Sequence, residues 1–416
     1  MKTTNTLTSS IFYKAVGIFS LLMSLKILSL DIQNIKFNPI FHFPLYPVQL
    51  TYPAFLFIHG LLIIGAITLI IGKKQSIGNI CLSIGHLLLL TYDPLAYTDA
   101  QYMLLWISII GLPFFSNKVL LLKTLYITSM TYQGINRLLS AQWISGNTLI
   151  SYKNAFYTGH SIFTPILSNP TIQTILIWLI PLLQLSTLLL LHPSLKKKHL
   201  LISLIGFHIV LFSLFCIFHR DPYIQYSQLI SGLLLLAWVP LENLKSWIQK
   251  KITLTTDSNT ESPQNSTKKV TSIVVLIVLV IQILIPASVY LQKNNPNWTD
   301  RGAWASWRMK LNVTKIRCLI AVRNPATNQI WYNNTAQDLD RKTSSYQATP
   351  YAIWHYTQFL KQKYTKAGMP NIEIYVKLQK SVNGSPYYDL IDPTINMANQ
   401  SYYFIKENKW ILSKPN

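Results

Sequence analysis

The chain is 416 residues long and half hydrophobic, with 12% charged residues where a soluble domain carries about 25%. Lys plus Arg number 36 and Asp plus Glu 14, a formal charge of +22, and mean hydropathy is +0.28. The hydrophobicity excludes a disordered chain, and it argues against the nucleic-acid binder that the charge sign alone would suit. A membrane protein remains.

Segments of about 20 apolar residues cross a hydrocarbon core about 30 Å thick. Nine are read here, beginning near Ile11, Ala54, Ile77, Gln101, Val119, Thr171, His199, Tyr223 and Val270. The third and fourth are short enough to tilt or re-enter. Lys14 and Lys26 interrupt the first and no small-residue cleavage site follows, so it is not read as a signal peptide. Lysines then set the orientation. Lys73, Lys74, Lys118, Lys123 and Lys196 to Lys198 lie in alternate connections, as do Lys245, Lys250, Lys251, Lys268 and Lys269. By the positive-inside rule the amino terminus is cytoplasmic and everything after the ninth span is extracytoplasmic.

These features divide the chain into a membrane module of eight spans over residues 1–241 and a polar cytoplasmic linker over 242–269. A ninth span over 270–291 and an outer domain over 292–416 follow. Cys81, Cys216 and Cys318 have no metal-ligand spacing, so no metal site is expected. In the outer domain, Ile316, Cys318, Ile320 and Val322 alternate with other residues, as do Ile372, Ile374, Val376 and Leu378, the period of half-buried strands. Asn383-Gly384 signals a hairpin turn. Thr349-Pro350 caps a helix that carries Ile353, Tyr356, Leu360 and Tyr364 on one face and stops at Gly368 and Pro370. The expected architecture is therefore an α-helical polytopic membrane domain followed by a small α+β extracytoplasmic domain. With 17 basic and 7 acidic residues, the outer domain suits an acidic peptide or an anionic lipid surface, or simply gains solubility.

Three stretches of that domain are specific. Asn297-Trp298-Thr299-Asp300-Arg301-Gly302, with Ala305-Ser306-Trp307-Arg308-Met309-Lys310-Leu311 after it, resembles the W-T-x-x-G then F-S-W-R-M-x-L signature of vitamin K-dependent gamma-carboxylases. Ser381-Val382-Asn383-Gly384-Ser385-Pro386 resembles that family's S-L-N-G-R-P, and Leu390 to Ala398 its L-I-D-P-x-V-D-L-A. In the membrane half, Gly134-Ile135-Asn136-Arg137-Leu138, with Trp143 and Gly146 beyond, is similar to A-G-x-x-K-L-x-x-D-W-x-x-G. His208 in Gly206-Phe207-His208 resembles the F-H of a later family helix.

The resemblance implies an enzyme that couples epoxidation of reduced vitamin K, or another quinol, to carboxylation of a protein glutamate, with oxygen and carbon dioxide as co-substrates. The family base is the lysine of G-x-x-K-L, which burial keeps neutral. Here that position holds Asn136 or Arg137, depending on where a one-residue length difference falls. Asparagine is not a base, and arginine keeps its proton. Gln142 replaces the acidic residue before the family tryptophan, and Ala100 or Asp99 stands where a family histidine is expected.

His208 is the first candidate for a substitute base and His86 the second; each is otherwise a membrane histidine hydrogen-bonded between helices. A lysine from elsewhere, such as Lys123 or Lys153, is another route. Arg137 needs a partner or an anionic ligand, or it snorkels to the surface. Trp143 lines a substrate site or anchors at the membrane interface. Trp307 and Arg308, beside Asn297, form a binding hot spot or a buried structural pair. His219, Arg220 and Asp221 read as a solvated loop. The alternative function is a non-catalytic membrane protein that binds a quinone or lipid and keeps the outer domain for a peptide partner.

Overall fold

The computed structural model describes residues 4–35, 52–92, 98–115, 117–156, 163–192, 197–216, 229–235, 268–292, 295–301, 305–308, 311–333, 349–404 and 406–415. The first half is helical: α1 (Thr4–Ile35), α2 (Tyr52–Ile71), α3 (Gln75–Tyr92), α4 (Asp99–Ile110), α5 (Lys118–Leu138), α6 (Ala141–Ile144), α7 (Asn147–Phe156), α8 (Phe163–Ser168) and α9 (Pro170–Leu185). A 3-10 turn extends α9 to Leu191; α10 (Lys197–Cys216) and α11 (Lys268–Ala287) follow, and a 3-10 turn carries α11 to Leu291.

Among the described residues, three helices are long and apolar enough to cross a membrane: Ile11–Ser29, Pro53–Ile71 and Pro170–Leu191. Asp99–Ile110, His199–Val210 and Val275–Leu291 are shorter apolar helices. The expected count of nine spans is thus not reached among the described residues. Most of the segment expected from Tyr223 lies outside them, as do nearly all of the linker and the His219-Arg220-Asp221 loop.

The fourth expected span is short for a physical reason. Thr98 and Gln101 close a reciprocal capping box at its start, and a turn begins at Gly111. In between, α4 is buried on almost every side, including Tyr102 and Trp106. A helix apolar all round and enclosed by others is a core element. Helices α1, α2 and α3 pack in sequence, and their contacts depend on missing side chains. A Cβ on Gly65 would come within 2.9 Å of the Gly78 carbonyl, and one on Gly17 within 2.7 Å of the Ala66 carbonyl. Outward-facing apolar residues such as Phe57, Ile64, Ile71, Ile175 and Leu182 stay exposed, as lipid-facing positions are.

The carboxyl-terminal part opens with one turn of helix, α12 (Pro296–Thr299), and builds an antiparallel sheet in the order β2-β1-β3-β4. The strands are β1 (Thr314–Asn324), β2 (Gln329–Asn333), β3 (Glu373–Val382) and β4 (Tyr388–Asp389). β1 faces β3 with Ile320 opposite Val376 and Val322 opposite Ile374, so both expected strands exist and their apolar residues share one face. That face is covered by α13 (Pro350–Lys366), whose Ile353, Tyr356 and Leu360 join Trp298 and Trp410 in one core. Thr349 caps α13 through the Ala352 amide at 3.3 Å. The helix ends at Gly368 (φ +86°), as read from the sequence.

Asn383 and Gly384 both take positive φ in the β3–β4 connection. The Asp392 carboxylate accepts from the Thr394 hydroxyl at 2.7 Å and amide at 2.9 Å, which makes the Asp392-Pro393 turn a local structural device. Burial pushes the Cys318 thiol up to about 12. Cys318 is therefore expected to resist iodoacetamide at pH 8 in the folded protein and to react fully once the protein is denatured, as mass spectrometry of the labelled chain would read.

Candidate functional site

The outer signature divides between support and site. Trp298 is buried in the sheet core and its indole donates to the Leu412 carbonyl at 2.9 Å. Asp300, at φ +53°, accepts from Lys380 at 2.5 Å, and the lysine side chain is wholly buried. Arg301 donates through one nitrogen to the carbonyls of Tyr403, Phe404 and Lys406, each at 2.9 Å, and so clamps the loop before the last strand-like segment. Asn297 alone turns away from these tasks. Its side-chain oxygen accepts from Arg308, and Asn312 donates to its backbone carbonyl at 3.1 Å.

The Ser306-Trp307-Arg308 segment joins the two halves of the molecule, with each residue doing different work. The Ser306 carbonyl accepts from the Asn136 amide at 3.0 Å. Trp307, at φ +54° and 1% exposed, belongs to the core of the helical half and lies 5.1 Å from the Tyr102 ring. Arg308 turns back toward Asn297. A second seam forms where the Asn383 amide donates to the Thr148 hydroxyl on α7 at 3.0 Å and to the Leu311 carbonyl at 2.9 Å.

Between these seams lies a cleft of about 350 Å³. The end of α5 contributes Asn136 and Leu139, and the next turn Gln142. The exit of α11 contributes Tyr290 and Gln292, and the outer domain adds Asn297, Arg308 and Lys414. Tyr290 donates its hydroxyl to the Asn136 side-chain oxygen at 2.9 Å. The Asn136 amide is therefore used at both ends. Burial draws the Arg308 guanidinium below its ordinary value, while Tyr290 and Asp300 act in the opposite sense. Among the described residues, the lining carries two cations and no carboxylate.

The helix separates the two residues at the family base position, because adjacent residues point about 100° apart on a 3.6-residue turn. Asn136 faces the cleft. Arg137 faces α9, where it donates to the Gln184 side chain at 2.9 Å and the Gln133 carbonyl at 3.2 Å. Its guanidinium stands 4.9 Å from the Trp143 ring, and Gln184 in turn donates to Gln133 at 2.9 Å. Trp143 is buried with Ile177 and Leu311 and donates to the Ile177 carbonyl at 2.9 Å, so its indole is committed to packing away from the cleft lining.

His208 is also away from the cleft lining. It is buried and shares a 3.0 Å hydrogen bond with Tyr126 on α5. Tyr126 precedes Asn136 by ten residues, about 15 Å along the helix. His86 is buried in α3, and Lys153 donates to Ser168 at 3.3 Å on an exposed edge. Neither they nor Lys123 line the cleft, and no group of three or more metal-ligating side chains occurs among the described residues. The arrangement joins Asn136 to Arg308 and Asn297. It also adds Tyr290, which stands next to the last apolar segment, and Lys414, which no motif marks.

Residues 267–416 match the family model for the vitamin K-dependent gamma-carboxylase lumenal domain. No curated protein and no solved structure matches the chain. The match begins with α11, so this helix and the sheet domain form one unit of the family, and its lumenal character puts the sheet domain outside the cytoplasm. Over residues 267–416, from α11 onward, the chain is similar to the vitamin K-dependent gamma-carboxylase lumenal domain, which supports a gamma-carboxylase-like family for the protein.

Proposed function

We propose that the protein is an integral-membrane member of this family with a cytoplasmic amino terminus, which receives an acidic side chain of a protein or peptide substrate in the cleft. One observation carries the reading: Asn136, one of the two residues at the family base position, lines the same cavity as Asn297 and Arg308 of the outer signature. Two cations and side-chain amides at the outer end of apolar helices suit a carboxylate presented from outside the bilayer.

The residues present do not fit the step that deprotonates reduced vitamin K. Asn136 is no base, and both ends of its amide are occupied by Ser306 and Tyr290. Arg137 is turned toward Gln184 and Trp143. No step through a quinol is therefore derived. This same observation favours a second reading, in which the protein binds its glutamate-containing partner, and a quinone or lipid, without carboxylating it.

One assay separates the two. Purified full-length protein is given reduced vitamin K, oxygen, labelled bicarbonate and a glutamate peptide, and both the epoxide and the fixed label are measured. Binding of the peptide with neither product would establish the second reading. Fixed label together with epoxide would establish the first. Absence of peptide binding would overturn both.

A further inference from the structure

We propose that Arg308 and Lys414 form a two-cation clamp for a carboxylate, in which the carboxyl-terminal tail supplies the second charge and selects acidic over neutral side chains. The inference rests on the reading of the cleft as the substrate end, and it names the group that the cleft recognises.

The tail is held where a clamp needs it. The Leu412 amide donates to the Leu390 carbonyl at 2.9 Å, and the Leu412 carbonyl accepts from Trp298 at 2.9 Å. Ile411 also bridges Ile391 in antiparallel fashion. Lys414 is two residues on, within about 7 Å of this anchor along the chain. It reaches the cleft wall beside Asn297, the neighbour of Trp298. Asn297 is the residue that holds Arg308. The same short helical turn therefore positions both cations, one through the Asn297 side chain and one through the Trp298 indole that holds the Leu412 carbonyl.

The charges are also available. Asp300, whose charge also acts on Arg308, makes its ion pair with the buried Lys380 instead. Neither Arg308 nor Lys414 makes an ion pair among the described residues, and no carboxylate lines the cleft. Two cations facing one polar cavity repel each other until an anion enters. An anion with two carboxylates on one carbon engages both at once, so malonate is a sharper probe of the pair than acetate.

The test uses the full-length protein in a neutral detergent, with malonate, acetate and a short glutamate peptide titrated at constant ionic strength and binding followed by the thermal midpoint. Malonate is expected to bind at least about tenfold more tightly than acetate, the loss from one charged hydrogen bond being of that order. Lys414→Gln should remove the preference, Lys414→Arg should restore it, and Lys409→Gln, on the exposed surface, should leave it unchanged. Malonate binding that survives Lys414→Gln at full strength would overturn the clamp. If malonate binds through Lys414 but the glutamate peptide does not, the clamp stands and the substrate reading falls. If the peptide binds equally with and without Lys414, the substrate reading stands and the clamp falls. Binding of neither sinks both.

Discussion

Asp300→Asn is expected to lower the opening free energy of the outer sheet by about 3–5 kcal/mol, because it removes a charged partner of the buried Lys380 ammonium. The Lys380 side chain is wholly inaccessible on β3, while Asp300 retains a quarter of its side-chain exposure. Removing the aspartate charge is thus worse than removing the lysine. Asparagine tolerates the left-handed backbone at this position, so the loss reports charge rather than backbone strain. The measurement is hydrogen exchange of the β1 and β3 amides in the full-length protein. The double variant Asp300→Asn, Lys380→Met should recover much of the loss, since a pair replaced as a unit costs little. A single variant as protected as the parent would show that the charge is solvated by another route.

The second large effect is at Trp307. Trp307→Ala should cost about 3–5 kcal/mol, as for a buried aromatic, and the loss should appear in the contact between the two halves of the molecule. Its indole is packed into the helical core against Tyr102, whereas the sheet core contains Trp298 and Trp410 instead. Exchange should therefore quicken in α4, around Tyr102, while β1 and β3 keep their protection. Trp307→Gly offers a finer check. The residue sits at φ +54°, which costs a side chain about 1–2 kcal/mol, so glycine should be the milder substitution by about that margin. Equal damage from both would mean that the backbone there is unstrained.

Much of the outer domain was legible because its signals are local. Period-two alternation marked β1 and β3, and Thr349-Pro350 with Gly368 marked the ends of α13. The membrane half was less legible. α4 has the composition of a span but not the length, and it is enclosed by other helices, which hydropathy does not register. At the site, the resemblance led to Asn136 and Arg137 but not to which of them faces the cavity. That depends on the rotation of α5 against α9, set by packing. Asn297 and Arg308 could be read from a motif. Tyr290 and Lys414 could not, since only the assembled fold brings the exit of α11 and the tail to the same wall.

The seam between the halves also has a consequence for synthesis. The contact of Asn136 with Ser306 spans 170 positions, and that of Asn383 with Thr148 spans 235. The helices that form the inner wall leave the ribosome long before their partners exist. Until the sheet domain has been translocated and folded, Asn136 and Thr148 have only water, lipid or a chaperone to satisfy them. The cavity therefore forms only once the sheet domain has docked, because its outer wall is made by residues translated long after its inner wall. Folding of this protein then has a late step, in which residues made long after α5 and α7 complete the partners of Asn136 and Thr148.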